Sequence, residues 1–407
     1  MMNLLSKRVL SIEASATSGT AVKAKNLKAK GVDVISFSQG EPDFKTPPYI
    51  CEAAKQAIDA GNYFSYPPTG GYLDLRTAIA QKYVSENKVP YKTENIVVTN
   101  GAKQALSNVM LSILNPGDEV LIFAPFWVSY LAQVKLAGAK PIIIKGAPEN
   151  DFKVGIQQIK DAISTKTKAI VFSSPCNPTG LVYNKQELEA LAELVSNYPN
   201  LLVIADEIYE HINYTPHRIS FAALPEMFNR TITINGFSKC YAMTGWRVGY
   251  LAAPTWLSKE VIKLQGHLTS SNSSIAQRAA FSAINNGLDA VNEMVQEYQK
   301  RRDLVYAKLN AIAGIEVNLP SGAFYIFPNI SKYYGTWYKG QQINNSIEMC
   351  TYLLEIAHIA VVPGAAFGED ACVRISYASP EDDLLEGLKR LKKALGDLEK
   401  QKILNLN

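Results

Sequence analysis

Between about residue 48 and residue 285 the chain alternates short β-branched runs with longer stretches of helical pattern, and this alternation narrows the choice of fold most. Apolar runs bounded by turn-forming residues read as strands at 95–99, 119–123, 140–144, 169–173, 201–205, 231–235 and 248–252. Between several of them lie helical patterns at 101–114, 156–162, 185–196 and 256–266. Strands separated by helices return in the same direction, so they build a mostly parallel sheet buried on both faces. The expectation is an α/β fold. A large domain (48–286) holds a seven-stranded, mostly parallel sheet flanked by helices. After Gly287 the pattern changes to a long charged helix at 288–313, strand-like pieces at 315–319 and 323–328, a helix at 346–357, a strand at 372–377 and a Lys/Glu-rich closing helix. That reads as a smaller α+β domain (287–407), against which the segment 1–47 is expected to pack.

Composition removes several functions. With 407 residues, 47% of them hydrophobic and 19% charged, the chain has ample material for two cores and no mark of disorder. A net charge of +4 without a basic, aromatic-interleaved stripe argues against nucleic acid as a partner. The Lys-rich piece 22–30 reads as the solvated face of an amphipathic helix. Five scattered cysteines, Cys51, Cys176, Cys240, Cys350 and Cys372, form no CxxC, which argues against a disulfide framework and a zinc site. They fit a reducing compartment. No apolar run approaches the length of a membrane span, and no signal-peptide core is visible. A soluble, cytoplasmic protein without a metal or a membrane partner is expected.

In open α/β sheets, ligands gather at the carboxyl ends of the strands, and the chemically capable residues of this chain fall there. Lys239 follows the strand at 231–235 in Phe237-Ser238-Lys239-Cys240-Tyr241, and an amine held in a cleft can lose its proton and form a Schiff base with a carbonyl cofactor. Arg247, eight positions later, offers a bidentate fork for a phosphate. Asp206 emerges from an apolar strand with Tyr209 close behind; a carboxylate there needs a cation or a donor, and a protonated pyridine nitrogen is one. An exposed helix cap is the ordinary alternative. Asn177, in Pro175-Cys176-Asn177-Pro178-Thr179-Gly180, is either a turn residue or an amide aimed at a phenolate-like oxygen. Trp127 is plain core or a stacking platform for a flat ring. Gly101, Ala102 and Lys103 sit at a strand-to-helix turn whose free N–H groups favour an anion, and Ser238 can add a hydroxyl. Arg374, in a short apolar strand, faces either water or a substrate carboxylate, and Gly40 gives a loop where backbone can approach a ligand.

Taken in order, these residues resemble class I pyridoxal-phosphate-dependent aminotransferases of fold type I, and within them the bacterial aspartate aminotransferase subgroup. The most specific elements are Asn177-Pro178-Thr179-Gly180, Asp206-Glu207-Ile208-Tyr209 and Ser238-Lys239 with Arg247. Tyr66-Pro67-Pro68-Thr69-Gly70, Asn100-Gly101-Ala102-Lys103-Gln104, Trp127-Val128-Ser129-Tyr130 and Val362-Pro363-Gly364 carry the subgroup likeness. The resemblance implies pyridoxal 5'-phosphate as cofactor, with Lys239 as the Schiff-base lysine. It implies Asp206 on the ring nitrogen, Asn177 and Tyr209 on the phenolic oxygen, and Trp127 on the ring face. Ser238, Arg247 and the amides of Gly101, Ala102 and Lys103 would hold the phosphate, joined by Tyr66 from the second subunit of a homodimer. Arg374, Gly40 and Asn177 would hold the substrate α-carboxylate, and Lys103, Ser15 and Thr17 its distal carboxylate. Cis peptide bonds before Pro125 and Pro178 also follow from the resemblance.

The implied activity is ping-pong transamination between an L-amino acid, aspartate or glutamate, and a 2-oxo acid. Glu13 stands where relatives often carry a lysine, so prephenate and aromatic substrates stay open, and a lyase of the same fold is the next alternative. A ligand-responsive regulator would carry an appended DNA-binding module, for which the family pattern leaves no room.

Overall fold

The computed structural model describes residues 4–14 and 16–404. Seven strands form the central sheet: β1 (Ile96–Thr99), β2 (Glu119–Ala124), β3 (Lys140–Lys145), β4 (Thr167–Ser173), β5 (Leu202–Asp206), β6 (Thr231–Gly236) and β7 (Gly249–Ala252). Their spatial order is β1-β7-β6-β5-β4-β2-β3. The pairs β3/β2, β2/β4, β4/β5 and β5/β6 are parallel, whereas β7 runs antiparallel to both β6 and β1. The mostly parallel, seven-stranded sheet read from the sequence is the one observed.

Period-two alternation decides which side chain enters which layer. Val120 and Ile122 of β2 pack with Leu106 and Val109 of the helix Ala102–Ile113, while Leu121 and Phe123 pack with Leu191 and Val195 of the helix Lys185–Ser196. Both faces are therefore covered, which explains why every residue of β1 and β6 is buried and neither strand carries a charge. Gly249 pairs with Gly236 across β7/β6, and a Cβ on it would stand 2.3 Å from Ala102 N. A side chain at 249 would push the start of the helix Ala102–Ile113 off the sheet; glycine lets the helix N-terminus settle on the strand ends.

Ile35 and Phe37 share a core cluster with Tyr298, Phe324, Val361, Leu388 and Leu391. Ile35–Ser36 also pairs in parallel with Ile359–Ala360. The long helix Asp289–Asn310, the antiparallel set Val362–Pro363, Val373–Ser376 and Tyr325–Ile326, and the helix Glu381–Leu404 surround this cluster. Two local expectations need correction. The stretch 315–319 is no strand: Glu316 makes one isolated bridge to Asn329, and Pro320, which has no N–H to donate, follows at once. The helix expected over 346–357 is α-helical only at Ser346–Tyr352 and widens into a π turn at Leu353–Ala357, closed by His358 at φ 53°. The peptide bonds before Pro125 and Pro178 are cis, as is the one before Pro175. No helix among the described residues is long and apolar enough to cross a membrane.

Candidate active site

The carboxyl ends of β1, β2, β4, β5 and β6 open into a cleft of ≈ 380 Å³, lined among others by Gly40, Lys103, Trp127, Asn177, Asp206 and Lys239. Ser173 and Asp206 are register partners across β4/β5, and Asp206 lies opposite Ile234 on β6. Three parallel strands thus deliver their terminal side chains to one place.

Lys239 lies three residues beyond β6 and donates its Nζ to the carbonyl of Gly40. Burial holds its amine down at about 8; Arg374 and Arg247 press in the same direction, while Glu41 and Asp206 oppose it. Asp206 is 4% exposed. Its Oδ2 accepts from Tyr130 Oη at 2.6 Å and its Oδ1 from the Ile208 N–H at 3.3 Å. Burial outweighs both bonds and pushes the carboxyl up to about 6.

Arg374 is the largest fully buried side chain among the described residues. Its Nη1 donates to Asn177 Oδ1 at 3.0 Å and its Nη2 to the Ser38 carbonyl at 2.8 Å, whereas its Nε has no partner. The guanidinium lies 4.4 Å from the Tyr325 ring centroid and 5.2 Å from that of Phe367. No carboxylate among the described residues pairs with it. Burial draws down its affinity for the proton, and only Tyr325 and Tyr209 offset that. A buried cation without an anion is costly, so the arrangement calls for an anionic ligand. Tyr209 shares a 2.8 Å hydroxyl contact with Tyr325, and burial raises the Tyr209 hydroxyl well above its ordinary range.

Another part of the cleft wall is a cup. Gly101 ends the β1 turn at φ 81°, and a Cβ there would meet Arg247 Nη2 at 2.3 Å. Arg247, itself at φ 57°, donates to Thr244 O at 2.9 Å and Asn100 O at 3.2 Å. The first-turn N–H groups of Ala102 and Lys103 have no acceptor inside their helix, so helix start, buried Ser238 and guanidinium converge on one side. Lys103 Nζ stands 5.0 Å over the Trp127 ring, and burial with Arg247 nearby lowers its pKa.

A strap crosses the cleft. Glu41 Oε2 accepts from Thr244 Oγ1 at 2.8 Å, Thr46 Oγ1 donates to Ala242 O at 2.6 Å, and Trp246 Nε1 donates to Thr46 Oγ1 at 3.0 Å. Segment 40–46 is thereby laced to the loop that carries Lys239.

Gly40, Ala102, Lys103, Trp127, Asn177, Asp206, Tyr209, Ser238, Lys239, Arg247 and Arg374 all line this cleft, and Gly101 stands directly behind it. Tyr66 is not brought into the cleft of its own chain; it is 93% exposed. Ser15 lies outside the described residues. Thr17 falls in the helix Ala16–Ala29, and its side chain is likewise outside them. Two participants escaped the sequence reading. Tyr130 follows Trp127 by three residues, at the start of the helix Ser129–Leu136, and their rings meet edge-on at 5.5 Å. Tyr325 lies in the aromatic run Phe324-Tyr325-Ile326-Phe327, where nothing distinguishes a site residue from core.

The family description "Aminotransferase class I and II" matches residues 32–391, and the chain belongs to that family. It is 45% identical over 396 residues to the bifunctional aspartate aminotransferase and glutamate/aspartate-prephenate aminotransferase of Petunia hybrida, covering 96% of this chain and 82% of that one. It is 42% identical to the aspartate aminotransferase of Bacillus subtilis (strain 168), covering 96% and 98%. The solved structure of Thermus thermophilus aspartate aminotransferase with maleate superposes with a TM-score of 0.90 at 38% identity, covering 97% of this chain and all of the other (100%).

Proposed function

We propose that this aminotransferase uses pyridoxal 5'-phosphate to move an amino group between aspartate or glutamate and a 2-oxo acid. The observation that carries the proposal is the shared cleft: Lys239, its amine lowered to about 8, faces the same space as buried Asp206, the Arg247 cup and the guanidinium of Arg374, whose Nε has no partner. These residues fit a flat, phosphate-bearing pyridine. Gly101, Ala102, Lys103, Ser238 and Arg247 would hold its phosphate, Trp127 its face, Asn177 and Tyr209 its phenolic oxygen and Asp206 its ring nitrogen. When bound, such a ring supplies a carbonyl for the amino group and an electron sink for the charge left at the substrate Cα.

The chain's own residues do the rest. Arg374, fixed by Asn177 and Ser38, orients the substrate α-carboxylate with its planar fork. Lys239 Nζ would take the Cα proton and return it two atoms along, beyond the amino nitrogen; an amine lowered to about 8 keeps a useful free-base fraction near neutrality. Asp206, hydrogen-bonded by Tyr130, holds a proton on the ring nitrogen. Lys103 supplies a cation for a distal carboxylate, with Ser15 and Thr17 as its neighbours in the same reading. The names of the Petunia and Bacillus relatives and the maleate of the Thermus structure support a dicarboxylate. The Petunia name supports prephenate as a second acceptor.

The same reading makes the enzyme a homodimer in which Tyr66 reaches the phosphate of the other subunit. Tyr66, Phe64 (71% exposed) and Leu73 (70%) support a covered surface there. It divides the chain into 1–47, 48–286 and 287–407, supported by the core that Ile35 and Phe37 share with residues beyond 287. Five cysteines free of disulfides support a cytoplasmic location.

An amino-donor panel with 2-oxoglutarate, oxaloacetate and prephenate as acceptors tests the proposal by cofactor absorbance and steady-state kinetics. Aspartate and glutamate should react first, with parallel double-reciprocal lines. Turnover without an oxo-acid acceptor, or none with either dicarboxylate, would overturn it.

A further inference from the structure

Behind the cup lies a group of buried primary amides. Asn108 and Gln277 are 0% exposed, and Gln265 and Asn272 are 1% exposed. So many amides are buried only where their hydrogen bonds do something specific. Asn272 Nδ2 donates to Arg247 O at 2.7 Å, Asn100 Oδ1 at 2.8 Å and Thr99 O at 3.1 Å. Two of these acceptors are main-chain carbonyls, so only a donor can stand opposite them, and the amide's orientation is fixed by chemistry. Its own Oδ1 has no partner. A side chain that leaves its oxygen unsatisfied in the interior is held there for its nitrogen.

The segments it joins need holding. Arg247 adopts φ 57°, a conformation that an L side chain rarely takes unless neighbours enforce it. The Thr99–Asn100 turn sets where the helix Ala102–Ile113 begins. The network continues outward: Gln277 Nε2 donates to Asn272 O at 3.0 Å, and Gln277 Oε1 accepts from the Tyr72 N–H at 2.8 Å. Gln265 Nε2 donates to Thr69 O at 2.7 Å and Val98 O at 2.9 Å. The turn that follows Tyr66 is thus tied to the same amides as the cup.

We infer that Asn272 is a positioning residue for phosphate recognition: its amide nitrogen locks Arg247 and the Thr99–Asn100 turn so that guanidinium and helix-start N–H groups converge on one anion. The inference rests on reading the cleft as a pyridoxal-phosphate site, and Asn272 does not itself line that cleft.

The test titrates cofactor-free protein with pyridoxal 5'-phosphate and, separately, with pyridoxal, following absorbance. Wild type should prefer the phosphorylated ligand strongly. Asn272→Ala should weaken pyridoxal 5'-phosphate about tenfold, the worth of one lost bond to a strained site, and leave pyridoxal within about twofold. Asn272→Asp, which turns an acceptor toward two carbonyls, should lose more at pH 8. Asn272→Ser keeps one donor and should fall between wild type and the alanine variant, which preserves the test if either larger change fails to fold. Equal weakening of both ligands means a merely structural role and overturns the inference, as does an unchanged ratio. If wild type itself does not distinguish the two ligands, the phosphate-site reading fails, and this inference with it.

Discussion

Asn in place of Asp206 removes a carboxylate that the cofactor-free fold ionises at a cost. Tyr130 Oη and the Ile208 N–H both stabilise the charged form, yet burial wins and the carboxyl titrates at about 6 against an ordinary 3.8. The folded value lies above the unfolded one. Asp206 therefore contributes fully below pH 3.8, loses that contribution between 3.8 and about 6, and above 6 carries a constant penalty. At 1.36 kcal/mol per pH unit, the interval amounts to about 3 kcal/mol, of which about 2 falls between pH 4.5 and 7. Urea unfolding of cofactor-free wild type and Asp206→Asn across that range should show wild type losing about 2 kcal/mol more than the variant. Adding pyridoxal 5'-phosphate at pH 8 should invert the ranking, because a ring cation beside Asp206 compensates the charge that the empty fold merely tolerates. Parallel pH profiles, or a steeper loss in the variant, would refute the argument that this carboxylate awaits a counter-charge.

Two further outcomes follow from the same geometry. In cofactor-free protein, reductive methylation with formaldehyde should label Lys239 with a midpoint near pH 8, well below ordinary lysines at 10.5; peptide mapping that finds Lys239 reacting no earlier than surface lysines contradicts its lowered amine. Gly101→Ala places a β-carbon at φ 81° and 2.3 Å from Arg247 Nη2, so it should cost about 1–2 kcal/mol of stability and weaken pyridoxal 5'-phosphate binding. Thermal melts and cofactor titration check both effects, and unaltered cofactor affinity would contradict the assignment of the cup.

Strand positions were legible because the buried strands are short runs rich in β-branched and apolar residues: 119–123 became Glu119–Ala124 and 231–235 became Thr231–Gly236. Helices with clear polar faces, such as Lys185–Ser196, were read to the residue. Most of the cleft residues were legible because they end a strand or follow one; Arg374 stood out as a charge inside an apolar strand. Tyr325 and Asn272 were not, for opposite reasons. Tyr325 is hidden among aromatics that only fill space, whereas Asn272 sits in a polar stretch, Thr269-Ser270-Ser271-Asn272-Ser273-Ser274, that resembles any loop. What makes Asn272 special is three acceptors converging from distant segments, and no local pattern announces them. Glu316 shows the limit from the other side: an alternating strip beside a proline reads as a strand but makes only one isolated bridge, to Asn329.

The strap over the cleft is held by side-chain bonds from Glu41 and Thr46 rather than by a sheet ladder, and the carbonyl that receives the Lys239 amine belongs to the same segment. Such ties open at far lower cost than strand pairing. Were the strap to lift, water would reach the amine, the desolvation that holds it near 8 would relax, and the lysine would become an ordinary ammonium. The proton on one nitrogen thereby records whether the strap is down, so an open molecule holds little free amine to misuse on whatever drifts past.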